Sequence, residues 1–391
     1  MRFSLPTCLL GGAAQLMSVQ ANPVNQLVER AASPDIVTGV MQDSSSGSPA
    51  AIVVHDVNGK PSWKWTAANA IAQGVSNQLQ KCLTWDAYWM PEVKWAANGR
   101  SILAIYHGAV VMINHHPGES SDGKITFGKC ILPSMRNSHT AELLPGHKVA
   151  VATTDDANSK DSIRIYDLAA GLKDDIQPVQ VLTGTVAVHG LIWDRQDITL
   201  WAAGNDGNPE HAGSKPQLSA YKWDDKKGLF GQTSPTNSYH LSPGYQLTTE
   251  WDGSSHQDWA EWSEGSHDVT GIPNQRKLLV ATDLDLYVFD LATRKIEHGQ
   301  DVVNKYVPGF APIDNRVGKN GHRISQSDIK SVSLASNGDF IYVQAPWQGP
   351  AQGYQVNRVS GGKLQSPMKF SGQMYRSRWF QDIPGWPKAK Y

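Results

Sequence analysis

Hydrophobic positions between residues 51 and 359 fall in short runs rich in β-branched and aromatic residues, each bounded by turn-forming residues. The runs come in pairs. Ala51 to His55 is followed by Ser101 to Ile113, which breaks at His107-Gly108. Val149 to Thr154 goes with Ile163 to Asp167, and Thr199 to Ala203 with Leu218 to Trp223. Lys277 to Thr282 goes with Leu286 to Asp290, and Phe340 to Gln344 with Tyr354 to Val359. A turn opens most pairs, as at Asn98-Gly99-Arg100, Pro145-Gly146-His147 and Asn337-Gly338-Asp339. No stretch sustains the 3.6-residue period of a long helix.

A further short strand precedes each turn, and polar residues gather at its start. These segments begin Glu92-Val93-Lys94, Ser138-His139-Thr140, Val188-His189-Gly190, Ser266-His267-Asp268 and Ser327-Asp328-Ile329, with a weaker sixth at Tyr375-Arg376-Ser377. Taking Glu92, His139, His189, His267, Asp328 and Arg376 as equivalent, the steps are 47, 50, 78, 61 and 48 residues. A period near 40–50 residues with three to four strands per unit predicts an all-β fold, a single β-propeller. About six blades are expected, with seven allowed by the long third step. That step implies an inter-blade insertion at about 204–265, carrying Trp223, Trp251, Trp259 and Trp262.

The N-terminus changes the picture before the fold begins. Arg2, the apolar stretch from Leu5 to Met17 and Val19-Gln20-Ala21 read as a signal peptide over residues 1–21, which places the protein in the secretory pathway. Residues 22–48 are expected to be a flexible arm and 49–391 the propeller. No later run reaches the length of a membrane span, so no membrane anchor is expected. Cys8 falls in the signal, leaving Cys82 and Cys130 as a candidate disulfide. With Lys+Arg 35 against Asp+Glu 36, no global field recruits nucleic acid.

Equivalent positions of a propeller's innermost strands converge on its axis, so His139, His189 and His267 should meet there, with Glu92, Asp328 and Arg376 around them. Three readings fit such a cluster: acid/base or hydrogen-bonding work on a substrate, a divalent metal site, or polar residues satisfying a water-filled channel. No phosphate loop or nucleophile elbow accompanies them, and no metal or other cofactor is expected. The 14 tryptophans divide. Trp193, Trp201 and Trp223 lie on blade strands and should pack sheets together. Trp85, Tyr88, Trp89 and Trp95 crowd the entry to the second blade, and Trp251, Trp259 and Trp262 ride the insertion. The last groups would give the broad apolar pocket expected of a small-molecule site.

The segments Ser138-His139-Thr140-Ala141-Glu142-Leu143-Leu144, Val188-His189-Gly190-Leu191-Ile192-Trp193-Asp194 and Gly265-Ser266-His267-Asp268, on a tryptophan-rich propeller behind a secretory signal, resemble the fungal hetero-Diels–Alderases of tropolone-sesquiterpenoid biosynthesis. They are also similar to a broad group of secreted bacterial and fungal propellers. The resemblance spans most of residues 50–380 and carries over no residue by motif. It implies a cofactor-independent pericyclase joining a tropolone o-quinone methide to a humulene-type sesquiterpene. From position alone, His139, His189 and His267, with Arg376 or Lys94, are candidate donors to the quinone-methide carbonyl. Trp89, Trp251, Trp259 and Trp262 are candidate apolar walls, and Glu92 and Asp328 candidate substrate contacts. Two rival readings use the same residues: a lyase or glycosidase on uronate glycans, needing a free basic cleft, and a non-catalytic binding propeller.

Overall fold

Strand-forming runs separated by tight turns can bury both faces only by stacking sheet against sheet, and this chain does so around a ring. The structure, a computed structural model, describes residues 33–43, 45–85, 90, 92–154, 162–247, 262–318, 321, 323–347 and 349–387. Blade 1 joins the two ends of the chain: β25 (Met368–Trp379) is its innermost strand, followed outward by β1 (Ile36–Val40), β2 (Ala51–His55) and β3 (Pro61–Trp65). Blade 2 runs outward through β4 (Glu92–Ala96), β5 (Ser101–Tyr106), β6 (Ala109–Asn114) and β7 (Ile125–Cys130). Blade 3 has β8 (Ser138–Leu144), β9 (Lys148–Thr153), β10 (Ile163–Asp167) and β11 (Gln180–Leu182).

Blade 4 has β12 (Val186–Asp194), β13 (Thr199–Asn205) and β14 (Pro216–Asp224), with β15 (Leu229–Phe230) and β16 (Asn237–His240) both paired to β14. Blade 5 has β17 (Ser266–Gly271), β18 (Lys277–Thr282), β19 (Leu286–Asp290) and β20 (Ile296–His298). Blade 6 has β21 (Ile329–Leu334), β22 (Phe340–Gln344), β23 (Gly353–Ser360) and β24 (Lys363–Leu364), and β23 also pairs with β25. Innermost strands touch in the cyclic order β4, β8, β12, β17, β21, β25 and back to β4, so the β-propeller is closed.

Two sequence expectations change here. Residues 22–48 are not wholly an arm, because Ile36–Val40 is a buried strand held between β2 and β25. Its five-residue run is short; it pairs with β2, the next strand, and its other edge is held by β25 from the far end of the chain, a pairing no local window shows. The expected insertion at 204–265 is partly blade: β14 to β16 occupy its first half.

The core lies between blades. Leu103, Val110 and Phe127 of blade 2 pack on Ala141, Leu143 and Val149 of blade 3, and similar clusters fill the later interfaces. Each such large side chain contributes about 1.5–3 kcal/mol on burial. Trp193 and Trp223 meet edge to face at 5.9 Å, and Trp201 packs beside Phe289, as expected of blade tryptophans. Two short helices, α1 (Ala67–Gln73) and α2 (Asn77–Leu83), link blades 1 and 2, α2 starting where the Ser76 hydroxyl accepts from Leu79 N–H. Cys82 on α2 and Cys130 on β7 form a disulfide. The third helix, α3 (Gln300–Tyr306), packs beside blade 5. No helix among the described residues is long and apolar enough to cross a membrane.

Candidate functional site

The side chains that converge on the axis are those of β-bulges. On β8, Ser138 pairs with Thr153 and Thr140 with Ala152, leaving His139 as the extra residue. On β17, His267 is extra between Ser266 and Asp268, and on β21 Lys330 is extra between Ile329 and Ser331. The break on β12 spans Val186 to Gly190 and contains His189; that on β25 contains Tyr375 and Arg376. A bulge residue is freed from the ladder and re-aimed, here toward the channel. Gly190 is required beside His189, since a Cβ there would lie 2.9 Å from both Val269 N and Cγ1.

This register corrects the sequence-level equivalence. Lys330, not Asp328, takes the place of the histidines in blade 6, and Glu92 aligns with Thr140 and Asp268, one step past the bulge. These inner strands are buried on nearly every position, so they carry no strict alternation in which a bulge's extra residue would show. Left-handed backbone at Ala187 (φ 48°) and Asp328 (φ 57°), each two residues before His189 and Lys330, marks the shared geometry.

The three histidines do form one row. Ring centroids of His139 and His189 are 4.4 Å apart and those of His189 and His267 5.2 Å, with Tyr375 5.4 Å from His139. His139 Nδ1 lies 2.9 Å from the Asn137 carbonyl and His189 Nδ1 3.0 Å from the Ala187 carbonyl. A carbonyl can only accept, so both Nδ1 atoms carry the proton. Burial is the main force lowering both basicities, His139 to about 3 and His189 well below its ordinary 6.5, so both rings are neutral. Each therefore turns an unprotonated Nε2 away from its anchored nitrogen. As hydrogen-bond partners through Nε2, His139 and His189 are acceptors, where the sequence suggests donors.

His267 differs. Its Nε2 lies 2.7 Å from Asp283 Oδ1 and 2.8 Å from Lys330 Nζ, while Tyr375 Oη is 3.2 Å from Nδ1. A carboxylate needs the Nε2 proton and an ammonium the lone pair, so only one can bond to it at a time. Burial and then the Lys330 charge lower His267 basicity; the Asp283 carboxylate opposes them. Desolvation works against the Lys330 charge, but the fields of Asp328, Tyr375 and Asp283 outweigh it and hold the ammonium. Lys330 Nζ also meets Asp328 Oδ1 at 3.1 Å. His267, Asp283 and Asp328 offer ligand atoms within 4.8 Å of one another, a spacing suited to a cation, and the Lys330 ammonium supplies that positive charge. Asp283, in the turn between β18 and β19, is thus part of the cluster. Nothing in its local sequence signals that.

Other expected site residues lie elsewhere. Arg376 is fully buried and donates to the carbonyls of His189 (2.8 Å), His267 (2.5 Å) and Lys330, tying three blades together. Glu92 accepts from Thr140 Oγ1 at 2.8 Å and from Arg378 Nε at 3.1 Å, and Arg378 Nη2 reaches Asp268 Oδ1 at 2.8 Å. Burial favours a neutral Glu92, but Arg378, Lys94 and Arg376 together hold it ionised, below the usual carboxylate range. This charged layer crosses the channel below the histidines. Lys94 is spent on Glu142 Oε2 and the Leu191 carbonyl, both at 2.7 Å, and faces the opposite mouth. Trp262 joins Leu247, Leu284, Ile324 and Trp347 in an apolar cluster, Leu284 being the neighbour of Asp283. Trp89, Trp251 and Trp259 lie outside the described residues. His115 and His116 do not join the row; His115 packs on Trp63 and Phe380.

No protein-family model matches the chain, and no curated protein matches it. Among solved structures it is similar to a protein of unknown function from Bacteroides caccae, with 13% identity and a TM-score of 0.50, over 89% of this chain and 98% of that one. The C-terminal WD40 domain of Sif2 aligns with 13% identity and a TM-score of 0.41, over 88% of this chain and 67% of that one. At such identity the first likeness speaks to the propeller fold alone.

Proposed function

We propose that the histidine mouth is the active site of a secreted, cofactor-independent cyclase, joining a tropolone o-quinone methide to a humulene-type sesquiterpene by hetero-Diels–Alder cycloaddition. The observation that carries this reading is the row of neutral imidazoles, two with their protons tied to backbone, beside a fixed ammonium and a phenol. In the reaction the quinone-methide oxygen and its exocyclic methylene carbon each bond to one alkene carbon. The tropolone ring regains its conjugation, and no proton or leaving group is lost. Catalysis then consists of holding two partners and stabilising the oxygen that gains charge.

The unprotonated Nε2 atoms of His139 and His189 suit the tropolone hydroxyl as acceptors. The Lys330 ammonium suits the carbonyl as donor, a role the sequence reading gave to the histidines. One such preorganised donor contributes about 3–4 kcal/mol, and orientation of two reactants about 7–11 kcal/mol. The Trp262 cluster offers apolar surface for the terpene. The rival uronate reading calls for free cations. Arg376, Arg378 and Lys94 are instead committed to carbonyls and carboxylates.

The test is to incubate purified protein with a quinone-methide precursor and humulene, and separately with glucuronate oligosaccharides. A faster, stereoselective cycloaddition supports the proposal. Product formation no faster and no more selective than the spontaneous reaction overturns it, and cleavage of the oligosaccharide favours the lyase.

A further inference from the structure

At the opposite mouth of the channel, beyond the charged layer, all six innermost strands and the segment 381–387 line a pocket of about 140 Å³. Its walls are aromatic: Trp95, Trp193, Trp379 and Trp386. Only Trp95 belongs to the groups from which a pocket was expected. The other three come from blade strands and the chain's last segment.

Segment 381–387 is fastened rather than loosely laid. Trp386 Nε1 donates to the Ile272 carbonyl at 3.0 Å, Asn274 N–H donates to the Pro384 carbonyl at 2.8 Å, and a Cβ on Gly271 would strike the Trp386 ring at 2.6 Å. The wall is therefore preformed. It also already accepts a cation from behind, with the Arg276 guanidinium 5.1 Å from the Trp386 ring centre.

The balance of charged groups on the lining decides what it would take. Among the described residues its two cations are spent: Lys94 on Glu142, Leu191 O and Glu92, and Arg378 on Glu92 and Asp268. Its two carboxylates are engaged through one oxygen each. Glu142 accepts from Lys94 through Oε2, and Asp382 from Trp95 Nε1 through Oδ1 at 3.2 Å. Among the described residues Glu142 Oε1 and Asp382 Oδ2 accept no hydrogen bond. An anion would meet spent cations and two unsatisfied carboxylate oxygens, whereas a cation would find those oxygens and indole faces.

We infer that this mouth is a second small-molecule site, selective for an organic ammonium with an apolar or aromatic body, and independent of the chemistry proposed at the histidine mouth. Its preference is for positive charge enclosed by indole, with the ammonium directed to Glu142 and Asp382.

The probe is 2-phenylethylammonium, titrated by calorimetry and by tryptophan fluorescence against 2-phenylethanol and phenylacetate. The ammonium should bind about tenfold more tightly than either analogue. Asp382→Asn, on the terminal segment, and Glu142→Gln, at the floor, should each erase most of that margin while 2-phenylethanol binding stays. Equal binding of all three probes overturns the inference. So does an ammonium preference that survives both substitutions in folded protein.

Discussion

Lys330 Nζ lies 2.8 Å from His267 Nε2, inside the histidine row and at a position the repeat assigned to no functional residue. The ammonium is buried with Asp328 and Asp283, so it neutralises carboxylates that would otherwise be stranded. Lys330→Met should destabilise the protein by about 3–5 kcal/mol in urea unfolding, and adding Asp328→Asn should recover part of that loss. The same single variant should raise the His267 titration midpoint, because Lys330 is the main charge lowering it. NMR of the imidazole would read this, and an unmoved midpoint would remove Lys330 from the account.

Glu264 predicts an alkaline limb to stability. It is fully buried between the Ser242 and Thr282 hydroxyls, both at 2.5 Å, and burial raises its carboxyl from an ordinary 4.5 to about 7. The folded state thus keeps its proton while the unfolded chain loses it. Stability from this group is complete below pH 4.5 and falls as pH rises through about 7. The loss approaches about 3 kcal/mol as an upper bound. Glu264→Gln should flatten that limb in unfolding measured from pH 5 to pH 8.

The histidine row predicts the opposite limb. His139 is depressed to about 3 in the folded protein, so acidification below 6.5 charges the unfolded chain first. Stability is complete above pH 6.5 and falls as pH drops toward 3. His139→Asn should shallow the acid limb while leaving stability at pH 8 within about 1–2 kcal/mol. A steep acid limb retained in His139→Asn would show that the ring is not held neutral.

Arg376 is a test of fastening against chemistry. Its guanidinium donates to carbonyls on β12, β17 and β21. Arg376→Lys keeps the charge but not the fork, and should cost about 2–4 kcal/mol of stability. The rate of the proposed cycloaddition per folded molecule should stay within a few-fold of wild type.

The Cys82–Cys130 bridge closes a separation of 48 residues. In the chain-entropy picture a loop of that length is worth about 4 kcal/mol. The double substitution to serine should lower the urea midpoint without altering ligand binding at either mouth.

The propeller was legible in sequence because each blade repeats its own hydrophobic pattern, and the second strands β5, β9, β13, β18 and β22 fall where the runs place them. His139, His189 and His267 were legible too, since each opens an inner strand. Lys330 was not. The bulge that exposes it adds one residue to β21, a strand buried at nearly every position with no alternation to interrupt, so counting by blade pointed to Asp328 instead. Asp283 was hidden for a different reason: it reaches His267 from the turn after β18, across the blade rather than along a strand.

Sequence by itself determined that the chain would stack sheets around an axis and bring polar residues to the start of the inner strands. That much follows from local periodicity, which any short window carries. Only the tertiary structure decided which nitrogen of each imidazole holds the proton, that Arg376 and Lys94 are already spent, and that Trp193, Trp379 and Trp386 share a wall. These depend on atoms from different blades meeting within hydrogen-bonding distance, and ring closure alone fixes that meeting.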